Sequence, residues 1–204
     1  MLLYYITDRQ QFPGTDAEQR RSVLKTIEQA ARAGVDYIQV RERDLSSRVL
    51  EHITRDAVAA VRAANPSTRL LVNSRVDIAL AAGADGVHLR SDDPFASEAR
   101  LMARARSGFI VAVSCHTPAD VRSAWSHGAD FAVFGPVFEK RSVTPTLVEG
   151  LRAACAATPG RVFALGGVTA DNASACMKAG AAGIAGIRLF QQTAVDAFVK
   201  ELRR

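Results

Sequence analysis

Cysteine is scarce in this chain. Cys115, Cys155 and Cys176 are an odd number, without CxxC or CxxH spacing, so no disulfide framework or zinc motif is indicated. Aromatic residues make up only 6%, with a single tryptophan, and small aliphatic side chains carry most of the apolar weight. Such chemistry suits helices lying close on strands. No apolar run approaches the roughly 18 residues of a membrane span, and the opening MLLYYITDRQ has no basic n-region, so no secretory leader is expected. The basic residues form no Lys/Arg block and have no stacking aromatics between them, which argues against nucleic acid as a partner. The expectation is a reduced, cytoplasmic protein with neither membrane nor nucleic-acid partners.

What the chain does have is an ordinary globular balance, 48% hydrophobic and 23% charged with a net charge of +5, which excludes disorder. It also has a rhythm. AGVDYIQV at 33–40, AGADGVHL at 82–89, HGADFAVF at 127–134 and AGAAGIAG at 179–186 repeat one phrase: a helix ending on glycine, a short turn, a β-rich run. Four more apolar runs alternate with these, LLYYI at 2–6, RLLVN at 69–73, FIVAVS at 109–114 and RVFAL at 161–165. All eight are nearly continuous in hydrophobicity, as strands covered on both faces are.

Between them, amphipathic spacing predicts helices over 16–33, 46–64, 75–82, 95–106, 119–127, 147–157, 171–179 and 190–203, the second opening with Ser46, and with Ser74 and Thr117 as caps of the third and fifth. Eight β/α units of about 25 residues each predict an α/β fold, a single (β/α)8 TIM barrel spanning 1–204 as one domain. An open doubly wound sheet would want a Gly-rich GxGxxG after the first strand. This chain has Thr7-Asp8-Arg9 there.

In a barrel of this kind the site lies at the C-terminal strand ends. Those positions hold Thr7, Asp8, Gln39, Arg41, Glu42, Arg43, Asn73, His88, Asp92, Asp93, Ser114, His116, Gly135, Pro136, Ser142, Gly166, Gly167, Gly186, Ile187 and Arg188, a set far more polar than the strands feeding it. Gln39 and Arg41 alternate toward the barrel axis, where a buried amide serves either a ligand or a core polar network. Gly166-Gly167 with Gly186, Ile187 and Arg188 read as a phosphate cup, the competing reading being plain tight turns. Asp93 is either a turn former or a metal ligand that needs further oxygens. His116 is either an acid/base group or a histidine bonding its own loop.

YYITDR at 4–9, YIQVRERDLSSR at 37–48, LLVNSRVDIALAAGADGVHLRSDD at 70–93, VSCHT at 113–117, FGPVFEK at 134–140, ALGGV at 164–168 and AGAAGIAGIRLF at 179–190 together resemble the thiamine phosphate synthase/TenI family. The resemblance runs in register over nearly the whole chain. It implies a (β/α)8 barrel of thiamine biosynthesis that binds a phosphorylated thiazole, with a homodimer as a family-level expectation. Synthases of the family join a pyrimidine diphosphate to thiazole phosphate with Mg2+, releasing pyrophosphate. TenI-type relatives are thiazole tautomerases that need no cofactor.

By this resemblance Gln39 and Arg41 match the pyrimidine-side strand, and Asn73 the first half of an Asn-Asp pair. Asp93 matches the magnesium aspartate, Ser114 the serine after the fifth strand, and Gly167 the phosphate cup. Departures from the synthase pattern are Arg43 where a lysine is expected, Ser74 where the second carboxylate is expected, and Lys140-Arg141-Ser142-Val143 in place of a Thr-x-Thr-Lys loop. These departures favour a TenI-like tautomerase with His116, Glu42 or Glu139 as acid/base group. A thiamine phosphate synthase is the alternative, and a non-catalytic phosphate-ligand binder or regulator is the third reading. Pro136 stands where the tautomerase histidine is expected.

Overall fold

The computed structural model describes residues 1–93, 95–138, 147–192 and 194–203. Eight parallel strands close on themselves in sequence order: β1 (Leu2–Ile6), β2 (Tyr37–Val40), β3 (Arg69–Asn73), β4 (Gly86–Leu89), β5 (Ile110–Cys115), β6 (Phe131–Phe134), β7 (Arg161–Leu165) and β8 (Gly183–Gly186). The barrel closes between β1 and β8, where Leu2 pairs with Gly183 and Tyr5 with Gly186. The expected (β/α)8 barrel is therefore the fold.

Alternation along each strand divides the apolar residues into two populations. Tyr4, Ile6, Leu71, Ala112, Phe131, Val133, Phe163 and Ala185 fill the barrel interior, where Tyr4 meets Phe131 and Phe163 edge-on at 5.8 Å. Their neighbours in sequence, such as Leu3, Ile38, Leu70, Val72 and Ile184, face outward onto the helices. Both faces of the sheet are dry, which is why the strands carry no polar alternation.

The helices are α1 (Asp16–Arg32), α2 (Ser47–Ala64), α3 (Val76–Ala82), α4 (Ala96–Met102), α5 (Pro118–Ser126), α6 (Leu147–Ala156), α7 (Ala170–Lys178), α8 (Arg188–Gln191) and α9 (Val195–Leu202). Reciprocal Thr15–Glu18 and Thr117–Asp120 hydrogen bonds start α1 and α5, the latter with Pro118 in its first turn. Capping boxes of this type satisfy two backbone donors at once.

Three helix expectations need correction. Ser74 does not cap α3: it takes a left-handed φ of 59° and turns its hydroxyl to Asp93. α4 ends at Met102 rather than 106, with Ala103 as its C-cap. The expected 190–203 helix is two pieces, α8 and α9. Gln191 at the end of α8 is drawn back to Asp8, accepting from its N–H at 3.0 Å and donating to its carbonyl at 2.8 Å. That two-bond clamp ties the last β/α unit to the end of the first strand.

Candidate active site at the barrel mouth

The chain segments leaving β1 and β2 are joined by an ion network with Arg9 and Glu42 buried at its centre and Asp16 and Asp44 exposed at its edge. Arg9, only 5% exposed, donates to Asp44 through both terminal nitrogens at 2.6 Å, to Asp16 through Nε at 3.0 Å and to Glu42 at 3.3 Å. Glu42 also accepts from Thr7 Oγ1 at 2.5 Å and from the Arg9 backbone N–H at 3.1 Å. Burial raises the Glu42 carboxyl above its ordinary value, against the pull of these donors. Thr7 Oγ1 in turn accepts the Arg41 N–H at 2.9 Å. Both Glu42 oxygens are thus engaged, and they fix the backbone that carries Arg41.

Arg41 itself is half-buried and has no ion-pair partner among the described residues. Burial, followed by repulsion from Arg43, lowers its pKa from the usual arginine value. An unpaired, partly desolvated guanidinium is costly unless a ligand supplies the anion. Arg43 and Asn73 line a cavity of about 260 Å³ together with Ser74, Arg75 and Arg90. Gln39, 1% exposed, projects into the barrel from β2, paired in register with Ile6 and Leu71.

At the end of β3, Asn73 Nδ2 donates to Ser74 Oγ at 3.1 Å, and Ser74 Oγ donates to Asp93 Oδ2 at 2.5 Å. Asp93 also accepts the Arg90 N–H at 2.7 Å and Arg90 Nε at 3.2 Å. Burial alone would raise this carboxyl, but the Ser74 and Arg90 donors hold it below the ordinary range, so it is anionic. No cluster of three or more His, Cys, Asp or Glu side chains suited to a metal occurs among the described residues. Magnesium commonly takes one or two carboxylates and completes its shell with water and substrate phosphate. Asp93 fits such a single-carboxylate anchor, and Ser74 occupies the place of a second.

Across the opening, Gly166 and Gly167 have φ of 95° and 64°, and a Cβ on Gly167 would lie 2.8 Å from that of Phe138. Only glycine turns the chain this tightly against the segment after β6. Beyond this turn lie Gly186 at the end of β8, Ile187, and Arg188 opening α8. Arg188 is exposed, with no ion-pair partner among the described residues. His116 is exposed, and its Nδ1 donates to the Gly135 carbonyl at 2.7 Å. Ser142, with Glu139, Lys140 and Arg141, lies outside the described residues.

Sequence reasoning passed over one connection. His88 on β4, 3% exposed, links Tyr4 to Ser114: Nδ1 lies 2.9 Å from the Tyr4 hydroxyl and Nε2 lies 3.0 Å from Ser114 Oγ. The signal was available, because Tyr4, His88 and Ser114 all fall on inward positions of their strands. Arg9 and Arg90 were passed over as well.

A closed (β/α)8 barrel with polar side chains and a double-glycine turn gathered at its C-terminal strand ends defines a protein of the TIM-barrel class. Residues 3–190 match the family described as thiamine monophosphate synthase, and the chain belongs to that family. A protein from Geobacter sulfurreducens, provisionally named a thiamine-phosphate synthase, is 41% identical over 189 residues, covering 90% of this chain and 83% of its own. The thiamine-phosphate synthase of Chloroflexus aurantiacus is 35% identical over 193 residues, covering 91% and 86%. The solved thiamine phosphate pyrophosphorylase of Pyrococcus furiosus superposes with a TM-score of 0.85 at 30% identity, covering 99% of this chain and 93% of that one. These relatives carry synthase names, which weigh toward the synthase alternative over the tautomerase reading first favoured. Among the described residues no helix is long and apolar enough to cross a membrane.

Proposed function

We propose that the protein is a thiamine phosphate synthase, joining a pyrimidine diphosphate to thiazole phosphate and releasing pyrophosphate. The observation that carries this reading is Arg41: a half-buried cation at the mouth of a family barrel, its backbone N–H held by Thr7 and its guanidinium without a carboxylate partner among the described residues. It calls for an anion on the β2–β4 side, distinct from the one the Gly166-Gly167 turn suits on the β7–β8 side. Two anion sites facing one opening fit two phosphorylated substrates better than one.

In this reading Gln39 meets the pyrimidine, while Arg41, Arg43, Asn73 and Ser114 receive its diphosphate, with Ser142 completing that set. Gly166, Gly167, Gly186, Ile187 and Arg188 hold the thiazole phosphate. As the bond from the pyrimidine side to the diphosphate breaks, the bond to the thiazole forms, and negative charge grows on the leaving oxygens. Cations fixed before the reaction stabilise that charge without reorganising. Asp93 would anchor Mg2+, which when bound carries part of the same charge.

A second reading keeps one specific support. His116 is fixed against the Gly135 carbonyl, beside Pro136, where a tautomerase would place its histidine. Mixing the pyrimidine diphosphate with thiazole phosphate and Mg2+ separates the two. The synthase reading expects stoichiometric pyrophosphate. A metal-free ultraviolet change of the unaromatised thiazole, abolished in His116→Ala and without pyrophosphate release, supports the tautomerase.

A further inference from the structure

Tyr4 is fully buried among the rings of Tyr37, Phe131, Phe163 and His88. Its hydroxyl has one hydrogen-bond partner among the described residues, His88 Nδ1. Desolvation, followed by the charge of Tyr37, pushes the phenol well above its ordinary value, so it keeps its proton. A buried donor left without an acceptor is destabilising. The Tyr4 proton therefore points at Nδ1, and Nδ1 carries none.

Burial, followed by repulsion from Arg41, pushes His88 down to about 3. The ring is neutral at working pH, so its single proton sits on Nε2. Nε2 then donates to Ser114 Oγ, which it reaches at 3.0 Å. Ser114 has no other side-chain partner among the described residues, and it stands at the end of β5 beside a cavity lined by Arg90 and Asp93 and, on the α5 side, by Asp120, Ser123 and His127. Its own proton is left for whatever enters.

We propose that Tyr4 and His88 are positioning residues that lock the Ser114 hydroxyl as a hydrogen-bond donor toward the mouth, where it meets an anionic phosphate oxygen of the ligand. The relay gives the serine a fixed polarity: the ring fills one lone pair of Oγ and aims the O–H outward. A hydroxyl free to rotate donates or accepts with equal ease, whereas this one selects acceptor-only oxygens such as those of a diphosphate. His88 does not act as a base, because its Nδ1 lone pair is occupied by Tyr4 and its Nε2 already bears the proton. The proposal rests on the anion-binding reading of the β2–β5 side of the mouth.

Nitrogen-15 resonance of the histidine rings at neutral pH reads the tautomer directly. The expected spectrum shows His88 protonated at Nε2 in the parent, with the Nδ1-protonated form appearing in Tyr4→Phe. Calorimetry with inorganic pyrophosphate reads the consequence. His88→Gln, whose amide can replace the Nε2 donor, is expected to bind within about threefold of the parent, and His88→Leu about tenfold more weakly, as the loss of one directed hydrogen bond implies. An Nδ1-protonated His88 in the parent overturns the proposal. So does equal pyrophosphate affinity in folded His88→Gln and His88→Leu. If the tautomer and the pyrophosphate difference hold while no thiamine phosphate forms, the synthase reading fails and the relay stands. Turnover with the wrong tautomer leaves the synthase reading and removes the relay.

Discussion

Ser74 donates a hydrogen bond to Asp93 at 2.5 Å, where the family resemblance leads one to expect a second metal carboxylate. The left-handed backbone at Ser74 delivers the hydroxyl there, and Arg90 holds the other side of the same carboxylate. The arrangement leaves Asp93 to anchor a cation, with a hydroxyl where the second carboxylate is expected.

Ser74→Asp is expected to tighten Mg2+. Aspartate tolerates the left-handed conformation better than most residues, and a second carboxylate suits the ion. The Mg2+ concentration for half-maximal pyrophosphate release should fall about tenfold, the effect of roughly 1.4 kcal/mol. Asp93→Asn should raise it. Titrating turnover against Mg2+ in the three proteins checks the order.

Arg41→Met should weaken the pyrimidine diphosphate and leave the thiazole phosphate unaffected. A charged hydrogen bond contributes about 1.5–3 kcal/mol, so the loss is roughly ten- to a hundredfold in the first affinity. Arg188→Ala should do the reverse. Calorimetry with each ligand alone reads the two affinities, and a common drop for both ligands in either variant would contradict separate anion sites.

Gly167→Ala forces a Cβ into Phe138 and an L-residue into φ of 64°. Strain of this kind costs about 1–3 kcal/mol. The thermal midpoint should fall, and thiazole phosphate affinity should fall with it, because the backbone of the cup has to shift.

Asp44 and His88 contribute to acid stability with the same sign. Hydrogen bonds from Arg9 hold Asp44 down to about 2 against an ordinary 3.8, so its contribution is complete above the ordinary value and disappears as pH falls through about 2. Desolvation holds His88 at about 3 against 6.5; the unfolded chain takes up that proton first, and stability declines as pH falls from 6.5 toward 3. Denaturant midpoints measured across this range should show a flatter upper limb for His88→Gln and a flatter lower limb for Asp44→Asn.

Much of this was legible in the sequence because it depends on local chemistry. Continuous apolar strands, helix-ending glycines and the Thr117-Pro118 start of α5 each follow from propensities of a few neighbouring residues. Gly166-Gly167 was readable as a tight turn for the same reason. What depends on partners far along the chain was not. Glu42 looked like an acid/base candidate until the fold placed Arg9 and Thr7 on both its oxygens. Ser74 looked like a helix cap until Asp93, nineteen residues later, took its hydroxyl. His88 was readable only as a strand-end position, since its partners are Tyr4 on one side of the barrel and Ser114 on the other. The break between α8 and α9 likewise follows α8's clamp onto Asp8, a contact between the two ends of the chain.

The central claim is that two phosphorylated substrates meet at one barrel mouth and that pyrophosphate leaves. Phosphorus-31 resonance on a single sample of protein, pyrimidine diphosphate, thiazole phosphate and Mg2+ follows all three species together. The account predicts that the diphosphate signals convert to pyrophosphate only when thiazole phosphate is present, while the monoester signal shifts but keeps its area. An unchanged spectrum from folded protein that binds both ligands would contradict it.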